Sequence, residues 1–323
     1  MYPPAHRIRG VLSLMQKVSI CIPVFNGGPY LSDALHSAAA QSYEDIEILI
    51  SDNGSTDDSP DIIEQFVRNC GRPARRVRGA LPGMVQNWNH LGFSAQGAWI
   101  KYLFHDDMLQ PNCVERMVAA ANRDPRVALV FSRRHVAASG DSSDPLFQQL
   151  VRDLEQLHSI SYPFRRDGGW YLGRRDLLWH RTTNFIGEPT SVLMSRSAFL
   201  AANGFSLRLR QLVDYEMWLR LMTMGKVVFV DEALATFRVH ASQMSMSNLR
   251  DTENARRAER RCFMESLTGP LLFGRLHPRV QSELRREVGA LHDPWPLPRA
   301  RLQELLWNAT AYSLRFIRRR RSA

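Results

Sequence analysis

The sequence predicts an α/β protein built on a parallel sheet with helices on both faces. Two observations carry the prediction. Apolar runs of strand length alternate with helical patterns from Val18 to Phe131. Polar turn chemistry punctuates them, as in Asn26-Gly27-Gly28-Pro29. With 323 residues the chain has room for one large α/β domain plus an extension, or for two small domains. Its 44% hydrophobic and 23% charged residues are the composition of a soluble globular protein.

The elements follow in order. Val18 to Val24 is an apolar run with Pro23 near its end, and reads as a buried strand. Tyr30 to Gln41 carries Leu31, Leu35 and Ala38 at helical spacing. Ile46 to Ser51 is a second strand, closed by the polar turn Asp52 to Asp57, in which Ser55 or Thr56 can cap the next helix. That helix runs to about Cys70 on a stripe of Ile62, Ile63, Phe66 and Val67. Arg75 to Gly79 reads as a weak third strand, Gly83 to Ala95 as a helix and Ala98 to Phe104 as the fourth strand. Pro111 to Asn122 is helical, and Val127 to Phe131 is a further strand. Ser132 to Ile186 is polar and irregular. Thr190 to Met194 then reads as a strand, Asp214 to Met224 as a helix, and Val227 to Val230 with Ala233 to Val239 as a closing pair of short strands. Beyond Ser247 the pattern is helical and rich in arginine.

Several classes are excluded. No GxGxxG follows the first strand, and no GxxxxGK[ST] occurs. No apolar run is long enough to cross a bilayer. Met1 to Lys17 lacks the apolar core and cleavage site of a secretory signal, so a cytoplasmic protein is expected. The four cysteines form no CxxC pair, and Cys21 sits in a strand pattern as a small core residue. The net charge of +10 is almost all arginine, which suits phosphate, anionic membrane or nucleic acid.

The chemistry concentrates at Asp106-Asp107. The pair follows a strand-like segment and precedes a helix opened by Pro111. Strand ends are where open α/β sheets keep their ligand sites. Hard oxygen ligands there suit Mg²⁺ or Mn²⁺ on a phosphate. The other reading is an exposed pair capping the helix.

From here the chain resembles the inverting family 2 glycosyltransferases of GT-A fold. The matching pieces, in order, are Ile22-Pro23-Val24-Phe25-Asn26, Ser51-Asp52-Asn53-Gly54-Ser55-Thr56-Asp57, Asn87-Trp88-Asn89, His105-Asp106-Asp107, Gly187-Glu188-Pro189-Thr190, the run Asp214 to Arg220, and Phe237-Arg238-Val239-His240. Each is weak alone; together, in the family's order from Val18 to Ser247, they make a strong signal. The resemblance implies a Rossmann-like nucleotide-diphospho-sugar transferase fold with a helical C-terminal extension. It divides the chain into a tail over 1–17, a transferase domain over 18–247 and an Arg-rich helical extension over 248–323.

What the resemblance implies for single residues is specific. Pro23, Val24, Phe25 and Asn26 frame a nucleotide base, with Phe25 available to stack on it. Asp52 accepts a base N–H, or else closes an Asx-turn with Ser55 or Thr56. Asn89 and His105 complete the nucleotide set. The family's DxD motif is degenerate here: Phe104 stands at its first Asp, His105 in the middle, and Asp106 at the metal-binding Asp. Asp107 is expected to orient Asp106. His240, in the family's Arg-x-His element, touches the diphosphate or the metal, or is structural. The family has an acidic pair before the helix that carries Trp218 and Arg220. This chain has Val213-Asp214, so Asp214 is the implied catalytic base, with a helix cap as the other reading. Trp218 and Arg220 support that helix, and Glu188 and Thr190 lie where acceptor contacts fall.

The implied reaction is a single displacement from a nucleotide-diphosphate sugar onto a hydroxyl of a glycan or lipid-linked acceptor, assisted by Mg²⁺ or Mn²⁺. Cell-envelope or exopolysaccharide assembly is the usual setting. A processive synthase would add membrane spans and a QxxRW motif, and neither is present. The rival from another class is a non-catalytic sugar-nucleotide or glycan-binding protein, which Phe104 and Val213 favour. Nucleic acid is the weaker reading of the charge. The basic residues of the tail interleave with Trp307, Tyr312, Leu314, Phe316 and Ile317, which suits an amphipathic helix on the anionic inner membrane face, or a packed helix with a solvated basic end.

Overall fold

The computed structural model describes residues 16–139, 144–158, 165–172, 184–244, 246, 252–269, 272–276 and 278–291. Nearly all of the N-terminal tail and the whole of the C-terminal run from Trp307 to Arg321 lie outside the described residues.

Strand β1 (Val18–Val24) is buried along its whole length. It pairs in parallel with β2 (Ile46–Asp52), which pairs in parallel with β3 (Ala74–Arg76). On its other side β1 pairs in parallel with β4 (Trp99–Tyr102). Near-continuous apolar runs form these strands because helices cover both faces. Successive side chains alternate between two layers. Val18, Ile20, Ile22 and Val24 share a core with Leu31, Ala34, Leu35 and Ala38 of α1 (Leu31–Ala39). Cys21 points the other way, into a second core with Trp88 and Leu91 of α3 (Met84–Ser94). Between them in the chain, α2 (Ser59–Asn69) buries Ile63 and Phe66.

The expectation of a parallel sheet holds for these four strands and is met only in part beyond them. The full order is β3-β2-β1-β4-β8-β6-β9-β5, with β7 on β9. Here β5 is Met108–Leu109, β6 is Val127–Ala138, β7 is Arg165–Asp167, β8 is Val192–Ser195 and β9 is Lys226–Val239. β8 inserts antiparallel between β4 and β6, β9 then runs parallel to β6, and β5 is antiparallel to β9. The sheet is therefore mixed.

Two strands are longer than their sequence suggests. β6 continues past Phe131 through Ser132, Arg133 and Arg134, whose polarity masks it. The expected closing pair is one strand, β9. Asp231 and Glu232 interrupt its apolar pattern as a bulge between the pairings Ser132↔Val230 and Arg133↔Ala233. Asp231 pairs with Arg133, and Glu232 with Arg116 of α4 (Cys113–Ala121).

In the irregular middle segment, α5 (Pro145–His158) packs a small cluster of its own, Phe147 and Leu150 against Val239 and Phe237. A short helix, α6 (Gly168–Leu172), follows. Beyond β8 come α7 (Arg196–Ala201) and α8 (Val213–Met222). The C-terminal helices α9 (Glu253–Leu267) and α10 (Pro278–Leu291) are not a separate layer. Phe263, Met264 and Leu284 join the buried cluster of Tyr215 and Trp218. The Tyr215 and Phe263 rings stack with centroids 5.6 Å apart. Among the described residues, no helix is long and apolar enough to cross a membrane.

Candidate active site

The ends of β1 and β4 open into a cavity of about 1030 Å³. Of the residues singled out in the sequence, Pro23, Val24, Phe25, Asn26, His105, Asp106, Glu188, Asp214 and His240 line it. Asp52, Asn89, Asp107, Thr190, Trp218 and Arg220 do not.

The loop after β1 is fixed by its neighbour after β2. Asn26 has a left-handed backbone, φ 49°. Its N–H donates to Ser55 Oγ at 2.8 Å, and its Oδ1 accepts the Thr56 N–H at 2.8 Å. Gly27 N–H donates to Ser59 Oγ at 2.9 Å, and Gly28 N–H to Asp57 Oδ2 at 2.9 Å. Ser55 and Thr56 thus cross-link two loops instead of capping α2, whose cap position is Asp58 without a side-chain bond. Phe25 stays 54% exposed on this braced loop, at the cavity wall. Asp52 closes the Asx-turn: Oδ1 accepts the Ser55 N–H at 3.0 Å and hydroxyl at 2.6 Å. Its Oδ2 pairs with Arg76 at 3.1 Å. With both oxygens engaged below the cavity surface, the base-contact reading of Asp52 gains no support.

Asn89 also turns away. Its amide donates to the Phe205 carbonyl at 2.8 Å and accepts the Phe205 N–H at 2.7 Å. It clamps the backbone at Phe205, and the nucleotide role expected of it gains no support from this geometry. Asn87, two residues earlier on α3, is the one that lines the cavity.

At the strand ends, Asp106 Oδ2 lies 3.2 Å from His240 Nε2. His105 Nδ1 lies 3.4 Å from the Pro23 carbonyl. Burial by itself raises the Asp106 carboxyl. The His240 hydrogen bond and the charges of His105 and His240 outweigh it and hold the group below the usual carboxylate range. Asp107 points inward: it accepts the Thr190 hydroxyl at 2.6 Å and the Arg238 N–H at 3.0 Å. Burial, with Asp106 and Glu188 nearby, pushes its carboxyl well up. Beneath it, the fully buried Lys101 donates to the Thr190 carbonyl, and burial pulls its ammonium down. Nothing in the sequence marked Lys101, whose strand reads as apolar.

The opposite wall carries Asp214 in the first turn of α8. Its Oδ1 accepts the Tyr215 N–H at 2.6 Å, and its Oδ2 accepts the Asn184 amide at 3.0 Å. Burial, reinforced by the charge of Glu188, pushes the carboxyl up to about 7. Glu188 itself forms a close ion pair with Arg134 of β6, 2.9 Å, in which the Nε–H is not aligned on the oxygen. The two side chains are only 12% and 6% exposed. Gly187 has φ 103°, and a Cβ there would lie 2.7 Å from Arg134 Nη1, so the turn needs glycine. Trp218 Nε1 donates to the Gly187 carbonyl at 2.9 Å and supports this turn from inside the core. Arg220 pairs with Glu216 at 2.7 Å and donates to the Gly204 carbonyl at 2.9 Å, outside the cavity.

Besides Lys101, the sequence reading missed Arg134, Asn184 and Glu259. Arg134 hides in the polar stretch of β6, and Asn184 in the irregular segment. Glu259 of α9 accepts the N–H groups of Arg210, Gln211 and Leu212 at 2.8, 2.8 and 3.1 Å. A carboxylate gathering three N–H groups just ahead of α8 also complements the helix dipole. At the two positions where the family has an acid, Phe104 packs on Trp88 with ring centroids 4.8 Å apart, and Val213 is buried in the core.

Among the described residues, no group of three or more His, Cys, Asp or Glu could hold a metal. Asp106 and His240 offer one carboxylate and one imidazole. That set does not form an all-protein cage. It fits an ion that takes its other ligands from substrate phosphates and water.

Comparisons with known proteins agree with this architecture. The family model described as glycosyl transferase family 2 matches residues 19–192, more than half of the chain. An uncharacterized protein of Mycobacterium tuberculosis is 32% identical over 224 residues, which are 68% of this chain and 66% of that one. The chondroitin synthase of Pasteurella multocida is 27% identical over 238 residues, 73% of this chain but 22% of the synthase. The chain thus spans just under two thirds of the first relative and under a quarter of the second. S. aureus TarS 1–349, solved in complex with UDP-GlcNAc, superposes with a TM-score of 0.58 at 14% identity, covering 85% of this chain and 72% of that one. The mannosyltransferase PcManGT from Pyrobaculum calidifontis, solved with GDP-Man and Mn²⁺, gives 0.53 at 15% identity, covering 94% and 81%. At such identity the likeness concerns the fold, which is of GT-A type. Together with the family match, it makes this chain a member of glycosyl transferase family 2.

Proposed function

We propose that the protein is an inverting transferase that moves one sugar from a nucleotide-diphosphate sugar to a hydroxyl of a glycan or lipid-linked acceptor. One observation carries the reading. A single cavity joins the braced loop after β1 and the Asp106–His240 pair to a carboxylate, Asp214, poised near 7. The nucleotide base and ribose lie along Pro23 to Asn26, with Phe25 as the stacking face. The diphosphate lies toward His105, Asp106 and His240. Asp106 and His240 would hold Mg²⁺ or Mn²⁺, which would supply positive charge for the departing diphosphate.

Asp214 is the general base. It takes the proton of the acceptor hydroxyl as that oxygen attacks the anomeric carbon. The bond to the diphosphate breaks and its electron pair leaves with the diphosphate. One displacement inverts the anomeric centre. A base is most effective with its pKa near the working pH, and burial places Asp214 there. Glu188, on the same wall, is the acceptor contact. The complexes of TarS with UDP-GlcNAc and of PcManGT with GDP-Man support a nucleotide-sugar donor. The Pasteurella chondroitin and hyaluronan synthases support polysaccharide assembly as the setting.

The second reading, a sugar-nucleotide-binding protein without turnover, is favoured by Phe104 and Val213 at positions of family acids. Calorimetric titration of UDP, GDP and dTDP, with and without Mn²⁺, on wild type and Asp106→Ala tests the donor site. Metal-dependent binding of one nucleotide, weakened in the variant, is expected. Failure of all three to bind would sink the transferase reading. Binding without transfer to any acceptor of a glycan panel would favour the second.

A further inference from the structure

The turn Asn184 to Gly187 is wired to Asp214 by one side chain. The Asn184 amide nitrogen donates twice, to the Gly187 carbonyl at 2.8 Å and to Asp214 Oδ2 at 3.0 Å. The Asn184 carbonyl accepts twice, from Ile186 N–H at 3.2 Å and Gly187 N–H at 3.0 Å. The four contacts fix the amide plane, so the N–H aimed at Asp214 does not rotate away. Trp218, fully buried, holds the same Gly187 carbonyl from the other side.

The geometry points to Asn184 as the positioning residue of the proposed base: its amide sets the direction of the Asp214 carboxylate and stabilises its ionised form. The inference rests on Asp214 being the base. Asp214 Oδ1 is held by the Tyr215 N–H, so Oδ2 is the oxygen that Asn184 orients. A donor to a carboxylate favours its charged form. The amide therefore opposes burial and the charge of Glu188, which push the other way. The other charged or titratable groups on this cavity's walls are Arg134, paired with Glu188, together with Arg210, Asp153, Asp106, His105 and His240. None of them donates the bond that Asn184 does. Without that bond Asp214 would ionise only at higher pH, and less of it would be competent near neutrality.

Two variants separate positioning from a merely structural role. Asn184→Asp keeps the acceptor oxygen for the Ile186 and Gly187 N–H groups and loses the bond to the Gly187 carbonyl, which Trp218 still holds. It loses the donor and puts a second carboxylate beside Asp214. Asn184→Ala loses everything. A positioning role predicts that the acidic limb of kcat moves up in both, by about one unit in Asn184→Ala and by about one to two units in Asn184→Asp. Turnover at pH 6.5 falls about tenfold or more, recovers at pH 9, and donor KM stays within about twofold. A structural role predicts the reverse order, with Asn184→Ala worse than Asn184→Asp, lower Tm, and no movement of the limb. That result overturns the proposal, and Asn184→Asp carries the test if Asn184→Ala does not fold. Asp214→Asn is assayed alongside. Wild-type turnover there would remove the base reading itself. A dead Asp214→Asn with unmoved limbs in both Asn184 variants would remove the positioning role alone.

Discussion

The two walls of the cavity are built from different chemistry. The wall at the end of β1 is a mesh of hydroxyl, amide and backbone groups, in which Asn26, Gly27 and Gly28 are tied to Ser55, Thr56, Asp57 and Ser59. Of its two carboxylates, Asp52 pairs with Arg76, and Asp57 is exposed, its carboxyl held low, against some desolvation, by the Ser59 hydroxyl and the N–H groups of Ser59, Gly28 and its own residue. The wall at α8 is made of buried charge: Arg134 of β6, Glu188 and Asp214, beside the Gly187 turn that Trp218 supports. A mesh of mainly neutral groups fixes a shape. A buried charge cluster acts at low dielectric, where one group sets the ionisation of the next. The first suits recognition of a flat base; the second suits proton transfer. Asp107, Thr190 and Lys101 form a floor beneath both.

That contrast breaks first at Asp214. Asp214→Asn removes the basic site and sets its amide nitrogen against a donor, the Asn184 amide or the Tyr215 N–H, so kcat is expected to fall by about 10² to 10⁴. Nucleotide affinity, set by the other wall, stays within about twofold of wild type. Parallel loss of turnover and nucleotide binding would show that the walls are not independent. Glu188→Ala comes next. It strands Arg134, 6% exposed, beside the cavity, and breaking such a pair costs about 3–5 kcal/mol of stability. It also removes a negative charge near Asp214, which favours the ionised base, so the acidic limb of kcat is expected below about 7 in whatever protein folds. An upward or unmoved limb would mean that Glu188 does not set the ionisation of Asp214.

The floor gives a smaller effect. Thr190→Val is nearly isosteric and leaves Asp107 Oδ2 without its 2.6 Å partner. Leaving a buried acceptor unsatisfied costs about 1–3 kcal/mol, read as a lower midpoint in urea unfolding. Both kcat and nucleotide affinity are expected to fall modestly and together, because the floor supports both walls. A selective effect on one wall would assign Thr190 to that wall.

The difference between the walls also explains what the sequence reveals. Pro23 to Asn26 and the Ser55–Asp57 turn are contiguous, rich in turn residues and attached to apolar strands, so period and punctuation expose them. Arg134 sits in a stretch that looks like loop because its strand is half solvated. Asn184 lies in the irregular segment, and Glu259 on a helix that shows only an arginine-rich surface. Long-range pairing of buried charges leaves no local period to read. The same blindness covers topology: β8 runs antiparallel, and β9 is one bulged strand, because both depend on partners distant in sequence. Asn89 shows the opposite case: its motif suggests a nucleotide contact, while its side chain clamps the backbone of Phe205.

The sharpest small test is Asp52→Asn, because the residue is claimed by two readings. In the structure Oδ1 holds Ser55 twice, and an asparagine carbonyl would do the same. The amide nitrogen would then face Arg76, donor against donor, where the carboxylate made a 3.1 Å pair. Arg76 is 26% exposed and has Glu64 at 3.8 Å as a second partner, so it can swing aside. The stability cost is therefore expected at about 1 kcal/mol or less. Nucleotide affinity is expected to stay within about twofold, because the carboxylate lies outside the cavity and is already spoken for. Were the carboxylate instead to accept a base N–H, losing that charged bond would weaken one nucleotide by about tenfold or more and leave the others untouched. Such a result would require the loop to reopen when nucleotide binds, with Ser55 releasing Asp52. The neutral wall would then be a moving part, and the contrast with the charged wall would hold only for the unliganded protein.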